Sequence, residues 1–155
     1  MKKFALLAVT LVAPLVGAVL AQPPERPKNQ DFGATTRKEK TLNVHYLEIV
    51  TPAVKETCDA LAKAHGVTFG EPIAELGNAR TAKMKDGARM GVRAPMRQTE
   101  APVVRPYVLV DDIETAIKAA EAAGAKFAMR ATKIPGHGTF AIYVLGGIDH
   151  GLWQH

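Results

Sequence analysis

The predicted elements run through residues 41–155 twice in the same order, and this repetition constrains the fold more than any single motif. In residues 41–51, Leu42, Val44, Tyr46 and Val50 fall on one side of an alternating strand. His45, Leu47 and Ile49 fall on the other. Thr51-Pro52 reads as an N-cap followed by proline at the first helical position. Val54, Cys58, Leu61, Ala62 and His65 then share a helical face, and Gly66 suits the helix stop. Short strands are predicted near 68–73, 79–85 and 88–94, with a turn at Asp86-Gly87. The second copy begins with a strand over 103–110. Asp111-Asp112 caps a helix with Ile113, Ala116, Ile117 and Ala120 on one face, and Gly124 ends it. Strands follow over 126–131, 139–145 and 148–154. At an offset of 60 residues His45 falls on Arg105, Gly87 on Gly147 and Gly91 on Gly151. The fold class is α+β: two βαβββ units, each with one sheet face left bare by its helix, together lining a cup.

The segments in front of the repeat have a different character. Met1-Lys2-Lys3, an apolar run from Phe4 and the small residue Ala21 before Gln22 read as a signal peptide over residues 1–21. The competing reading is a retained anchor. Residues 22–40 carry Pro23, Pro24, Pro27 and five basic residues with few large apolar groups. They read as a flexible basic arm, with the domain occupying 41–155. Cleavage would leave no stable membrane span and a periplasmic or secreted protein. The formal charge of +5 drops to +3 when Lys2 and Lys3 leave, too weak and too scattered for a nucleic-acid binder. One cysteine, Cys58, excludes an intrachain disulfide framework and a multi-cysteine metal site.

Tyr107-Val108-Leu109-Val110-Asp111-Asp112, the helix ending in Ala123-Gly124-Ala125, Ile134-Pro135-Gly136-His137-Gly138-Thr139-Phe140-Ala141 and Gly147-Ile148-Asp149-His150-Gly151-Leu152-Trp153 are the most characteristic stretches. With them the chain resembles, over residues 41–154, the vicinal oxygen chelate superfamily. That superfamily includes glyoxalase I, the bleomycin- and fosfomycin-resistance proteins and the extradiol dioxygenases. The resemblance implies metal ligands on the first and last strand of each unit, at positions that here hold His45, Gly91, Arg105 and Gly151. Only His45 among them can bind a metal, and Arg105 is a permanent cation. One imidazole cannot hold an ion alone, so neither a metal nor another cofactor is expected. The fold hosts many chemistries. An enzyme of the same superfamily, a lyase, isomerase or dioxygenase, therefore stands as an alternative. It would use unrecognised ligands or acid–base chemistry by His45 and Tyr107.

By period-2 alternation Arg105, Tyr107 and Leu109 share a face, as do Arg89, Gly91 and Arg93, and Asp149, Gly151 and Trp153; superposing the two units sends all three sets toward the cup. His45, Arg93, Arg105, Tyr107 and Trp153 are the candidate ligand-binding residues, with the two glycines expected to leave open space. Such a pocket suits a flat or anionic small molecule, with arginine for a carboxylate or phosphate and aromatics for stacking. The bland alternative has Arg105 neutralised by Asp149 or another carboxylate, Tyr107 and Trp153 filling core, and His45 simply packed. His150 is expected on the helix side, His137 on a rim loop, and His65 and His155 at the surface. A third reading makes the basic arm an interaction module for an anionic surface. One chain could close the cup alone, and the resemblance also permits a homodimer.

Overall fold

The computed structural model describes residues 41–155. The expected signal peptide and basic arm lie outside the described residues. The first unit consists of β1 (Val44–Val50), α1 (Val54–His65), β2 (Arg80–Lys83) and β3 (Arg89–Arg93). The second consists of β4 (Val103–Leu109), α2 (Ile113–Ala122), β5 (Lys126–Ile134), β6 (Gly138–Leu145) and β7 (Ile148–Gln154). All seven strands join one mixed sheet in the order β2-β3-β1-β4-β7-β6-β5. The first strands of the two units, β1 and β4, meet antiparallel at its centre, while each lies parallel to the last strand of its own unit.

The expected strand at 68–73 does not form. Its backbone meets the sheet through the bridge Ile73↔Ala79 and the bond from Gly70 N to the Thr81 carbonyl, and the Arg80 side chain adds a bond from Nε to the Gly70 carbonyl at 3.0 Å. The reason lies in its residues: Pro72 has no N–H to give a ladder, and Gly70 has no side chain to pack. The first unit therefore supplies three strands where the second supplies four. The Thr51 cap also differs from expectation. Helix α1 starts at Val54 after Ala53, with no side-chain cap, and Thr51 Oγ1 accepts only from Ala53 N at 3.2 Å. Helix α2 is capped as expected: Asp112 Oδ1 accepts from Thr115 N at 2.6 Å. Gly66, at φ 65°, adopts the left-handed stop that glycine favours.

The sheet separates two clusters. Ile113 and Ile117 of α2 pack on Ala141 and Leu152, flanked by Phe127 and Tyr143. On the opposite face Tyr46, Leu76, Ala79, Tyr107 and Trp153 pack together, with Phe140 and Ile142 beside them. Among the described residues no helix is long and apolar enough to cross a membrane.

Candidate functional site

The concave face of the sheet encloses a cavity of about 980 Å³. Strand alternation decides which side chains reach it. Arg105 and Tyr107 from β4, Arg93 from β3 and Trp153 from β7 line it, as do Tyr46 and Glu48 from β1. His45 does not. The cup-facing residues of β1 are Tyr46, Glu48 and Val50, all buried, so His45 is one residue out of phase with the expected position. The strand register shows why. Glu48 stands opposite Gly91 in the first unit and Tyr107 opposite Gly151 in the second, so Tyr46, not His45, is the counterpart of Arg105. A register shift between Val44 and Tyr46 marks the slip. His45 instead lies 5.5 Å from the Trp153 ring and 4.4 Å from the His155 ring, centroid to centroid. Burial, then His155 and Arg89, hold its pKa below the ordinary imidazole value. His155, expected as a plain surface residue, is exposed yet in edge contact with it. Arg89 turns away from the cavity and donates to Thr81 Oγ1 at 3.1 Å. His150 stacks on Tyr143, and the carbonyl of His137 accepts from Trp153 Nε1 at 3.1 Å.

Glu48, which the alternation of β1 passed over among its apolar neighbours, is the centre of the site. Its Oε1 accepts from Arg93 Nε at 2.7 Å, and its Oε2 from Tyr107 Oη at 3.1 Å and from Arg105 Nη1. Arg105 Nη2 continues to Asp149 Oδ2 at 2.7 Å. The Arg93 fork closes on Glu100 with bonds of 3.0 and 2.6 Å, and Glu100 also takes the Met96 amide. The result is a linear chain of alternating charge, Glu100–Arg93–Glu48–Arg105–Asp149. Its three middle members are almost wholly buried, and its two carboxylate ends are the more exposed. Buried charges survive only when paired in this manner. Burial works against the charge on both guanidiniums. For Arg93 the bonds to Glu100 and Glu48 outweigh it, for Arg105 chiefly the bond to Asp149, and both pKa values rise. Arg93 in turn holds the Glu100 carboxyl down to about 2. Burial, reinforced by Glu48, pushes up both Tyr46 and Tyr107, so at neutral pH both phenols keep their protons. The free guanidinium expected for an anion is therefore absent from Arg105.

The two glycines do not leave open space. A Cβ at Gly91 would collide with the Tyr46 hydroxyl, and one at Gly151 with the Tyr107 ring near its root. Each tyrosine lies across the glycine of the neighbouring strand. The positions from which the resemblance would bring metal ligands thus hold phenol rings and a paired guanidinium. Among the described residues no three His, Cys, Asp or Glu side chains are grouped to hold an ion. A divalent cation beside Glu48 would face Arg93 and Arg105 at hydrogen-bond distance from the same carboxylate, a repulsive arrangement. Tyr46 Oη and Arg105 Nε are buried without a partner among the described residues.

No protein-family profile and no curated protein sequence matches the chain. Solved structures do. A hypothetical protein from Bacillus halodurans superposes with a TM-score of 0.61 at 10% identity, over 75% of this chain and 96% of that one. Methylmalonyl-CoA epimerase from Mycobacterium tuberculosis gives 0.55 at 14% identity, over 73% and 86%. A variant of the Streptomyces coelicolor methylmalonyl-CoA epimerase, in complex with 2-nitronate-propionyl-CoA, gives 0.54 at 12% identity, over 74% and 98%. At these identities the likeness concerns architecture, and it agrees with the paired strand–helix–strand units: the domain has the vicinal oxygen chelate, or glyoxalase-like, fold.

Proposed function

We propose that this chain is an exported binding protein that holds a small organic molecule in the cup without a metal. One observation carries the reading: a roomy cavity with apolar walls, in which the place of a metal centre is taken by an ion chain that neutralises itself. Met129, Ile134, Phe140, Ile142 and Trp153 line the walls, and about 980 Å³ falls at the upper end of the range usual for small-molecule sites. Glu48 gives its lone pairs to two guanidiniums and a phenol, which leaves it poorly placed to take a proton from a substrate. This favours binding over acid–base chemistry. With Arg93 and Arg105 already bound to carboxylates, the ligand is expected to be predominantly apolar or aromatic. Export rests on the leader pattern of residues 1–21.

Trp153 is the only tryptophan and lies in the cavity, so its emission reports on occupancy directly. Protein purified from the periplasm or medium should begin at Gln22 and yield a small molecule on denaturation. Readdition of that molecule should change Trp153 emission saturably and raise the melting temperature. Divalent ions should do neither. A saturable melting shift with zinc, nickel or magnesium that a chelator reverses would overturn the metal-free reading.

A further inference from the structure

The ion chain also sets which charge the cup admits. Resting on the binding reading above, we propose that the cup selects an organic cation, an ammonium or amidinium on an apolar body, with its charged head at Asp149. With all five members ionised, three carboxylates face two guanidiniums, and one negative charge is left over. The order of the chain places negative groups at both ends, where the side chains are least covered: 33% of Asp149 and 17% of Glu100 remain exposed, against 5–6% of the arginines. The ends differ. Both oxygens of Glu100 are engaged by Arg93, with Oε2 also taking the Met96 amide. Asp149 uses Oδ2 for Arg105 and leaves Oδ1 to accept a further donor. Phe140 and Trp153, farther along the same strands, line the cavity and suit the apolar body.

An anion finds no comparable foothold. The Arg93 fork and the two terminal nitrogens of Arg105 are spent on carboxylates. The donors without partners, Tyr46 Oη and Arg105 Nε, have almost no surface open to a ligand. Arg97, Lys133 and Glu75 also edge the cavity, but they are exposed, where solvent and salt screen them. An anionic head would have to break an existing pair and leave a buried carboxylate without its partner.

The test uses three probes with one body and three heads: phenylbutylammonium, phenylbutanol and phenylbutanoate, titrated against Trp153 emission and melting temperature at about 0.15 M salt, where the exposed cations at the rim are screened. Wild type should bind the cation roughly tenfold or more tightly than the carboxylate, with the alcohol between them. Asp149→Asn removes the exposed charge and leaves Arg105 under-neutralised, so the order should collapse or invert. Glu100→Gln, at the saturated end, should change the order less, and circular dichroism on both variants separates loss of selectivity from loss of fold. Equal or tighter binding of phenylbutanoate by wild type would overturn the cation proposal and leave the binding reading standing. An Asp149→Asn variant that folds and keeps the full cation preference would do the same. Silence from all three probes would sink both.

Discussion

The two units share an element order but not a degree of packing. In the second, α2 is capped by Asp112, packs on β5, β6 and β7 and sinks Ile113 and Ile117 into a cluster with Ala141 and Leu152. In the first, α1 lacks a side-chain cap, packs chiefly on β3 and buries Cys58 alone. Cup-facing chemistry is divided the other way. The first unit supplies Tyr46, Glu48 and Arg93, and the second supplies Arg105, Tyr107 and Asp149; each set is neutral, but Arg105 and Tyr107 both donate to Glu48, so neither unit completes its bonding alone. A chain that repeats its architecture can thus place stability in one copy and still need both for its site. The coupling element is Glu48, on the central β1–β4 pair, joined to an arginine from each unit.

The strongest way to break this arrangement is Glu48→Gln. The shape is kept, but two buried guanidiniums lose their shared counter-charge, and breaking such a pair costs about 3–5 kcal/mol. Chemical denaturation should show that loss, whereas Asp149→Asn, at the solvent end, should cost about 1 kcal/mol or less. Equal losses would mean that the chain is not anchored at its middle. The two helices give the next largest contrast. Ile117 is 1% exposed, and Ile117→Ala should cost about 2–5 kcal/mol. Cys58→Ala in α1 removes one small sulfur from a lightly covered helix and should cost about 1 kcal/mol. Hydrogen exchange should follow the same order, with the amides of α1 opening before those of α2.

A finer contrast lies in the glycine–tyrosine pairs. At Gly91 the obstacle to a new Cβ is the hydroxyl end of Tyr46, the part of the ring farthest from its own backbone. At Gly151 it is Cγ and Cδ1 of Tyr107, held near the strand and unable to swing aside. Gly151→Ala should therefore destabilise more than Gly91→Ala, with overpacking typically costing about 1–3 kcal/mol. Reversed melting temperatures for the two variants would show that the second strand pair yields more easily than its geometry implies.

Much of the architecture was legible in the sequence, and the failures have local causes. Strands β4, β6 and β7 fell where alternation placed them, and Asp112 capped α2 as its side chain allows. Residues 68–73 looked like a strand by hydrophobicity, but Gly70 and Pro72 weaken the ladder that would have made them one. Arg93, Arg105, Tyr107 and Trp153 could be assigned to the cup from alternation and the repeat together, although the same reasoning sent Arg89 there and it turns away. Asp149 was readable as a counter-charge for Arg105 and is one, but Glu48 was not, because ion pairs 45 and 57 residues apart in the chain have no local signal. Glu48 did leave a trace: it shares its face with Tyr46 and Val50, and an acid in an apolar stripe needs a cation. A single-residue error in laying one unit on the other put His45 in its neighbour's place, and a strand inverts its faces with such a slip.

The smallest expected effect tests how the first unit's arginine is neutralised. Arg93 holds Glu100 at about 2 against an ordinary value of 4.5. A carboxyl depressed in the folded state binds fewer protons there than in the unfolded chain below that ordinary value. Its stabilising contribution is therefore complete above 4.5 and fades as pH falls toward about 2. Glu100→Gln removes this carboxylate, and the variant should start less stable at neutral pH and lose less on acidification over that interval. Melting curves of both proteins should converge toward the acid end. Parallel curves would show that Glu100 titrates alike in the folded and unfolded chain, and Arg93 would then depend on Glu48 alone. Glu48→Gln would in that case strand Arg93 while Arg105 keeps Asp149, and the loss expected from it would have to move to the top of its range.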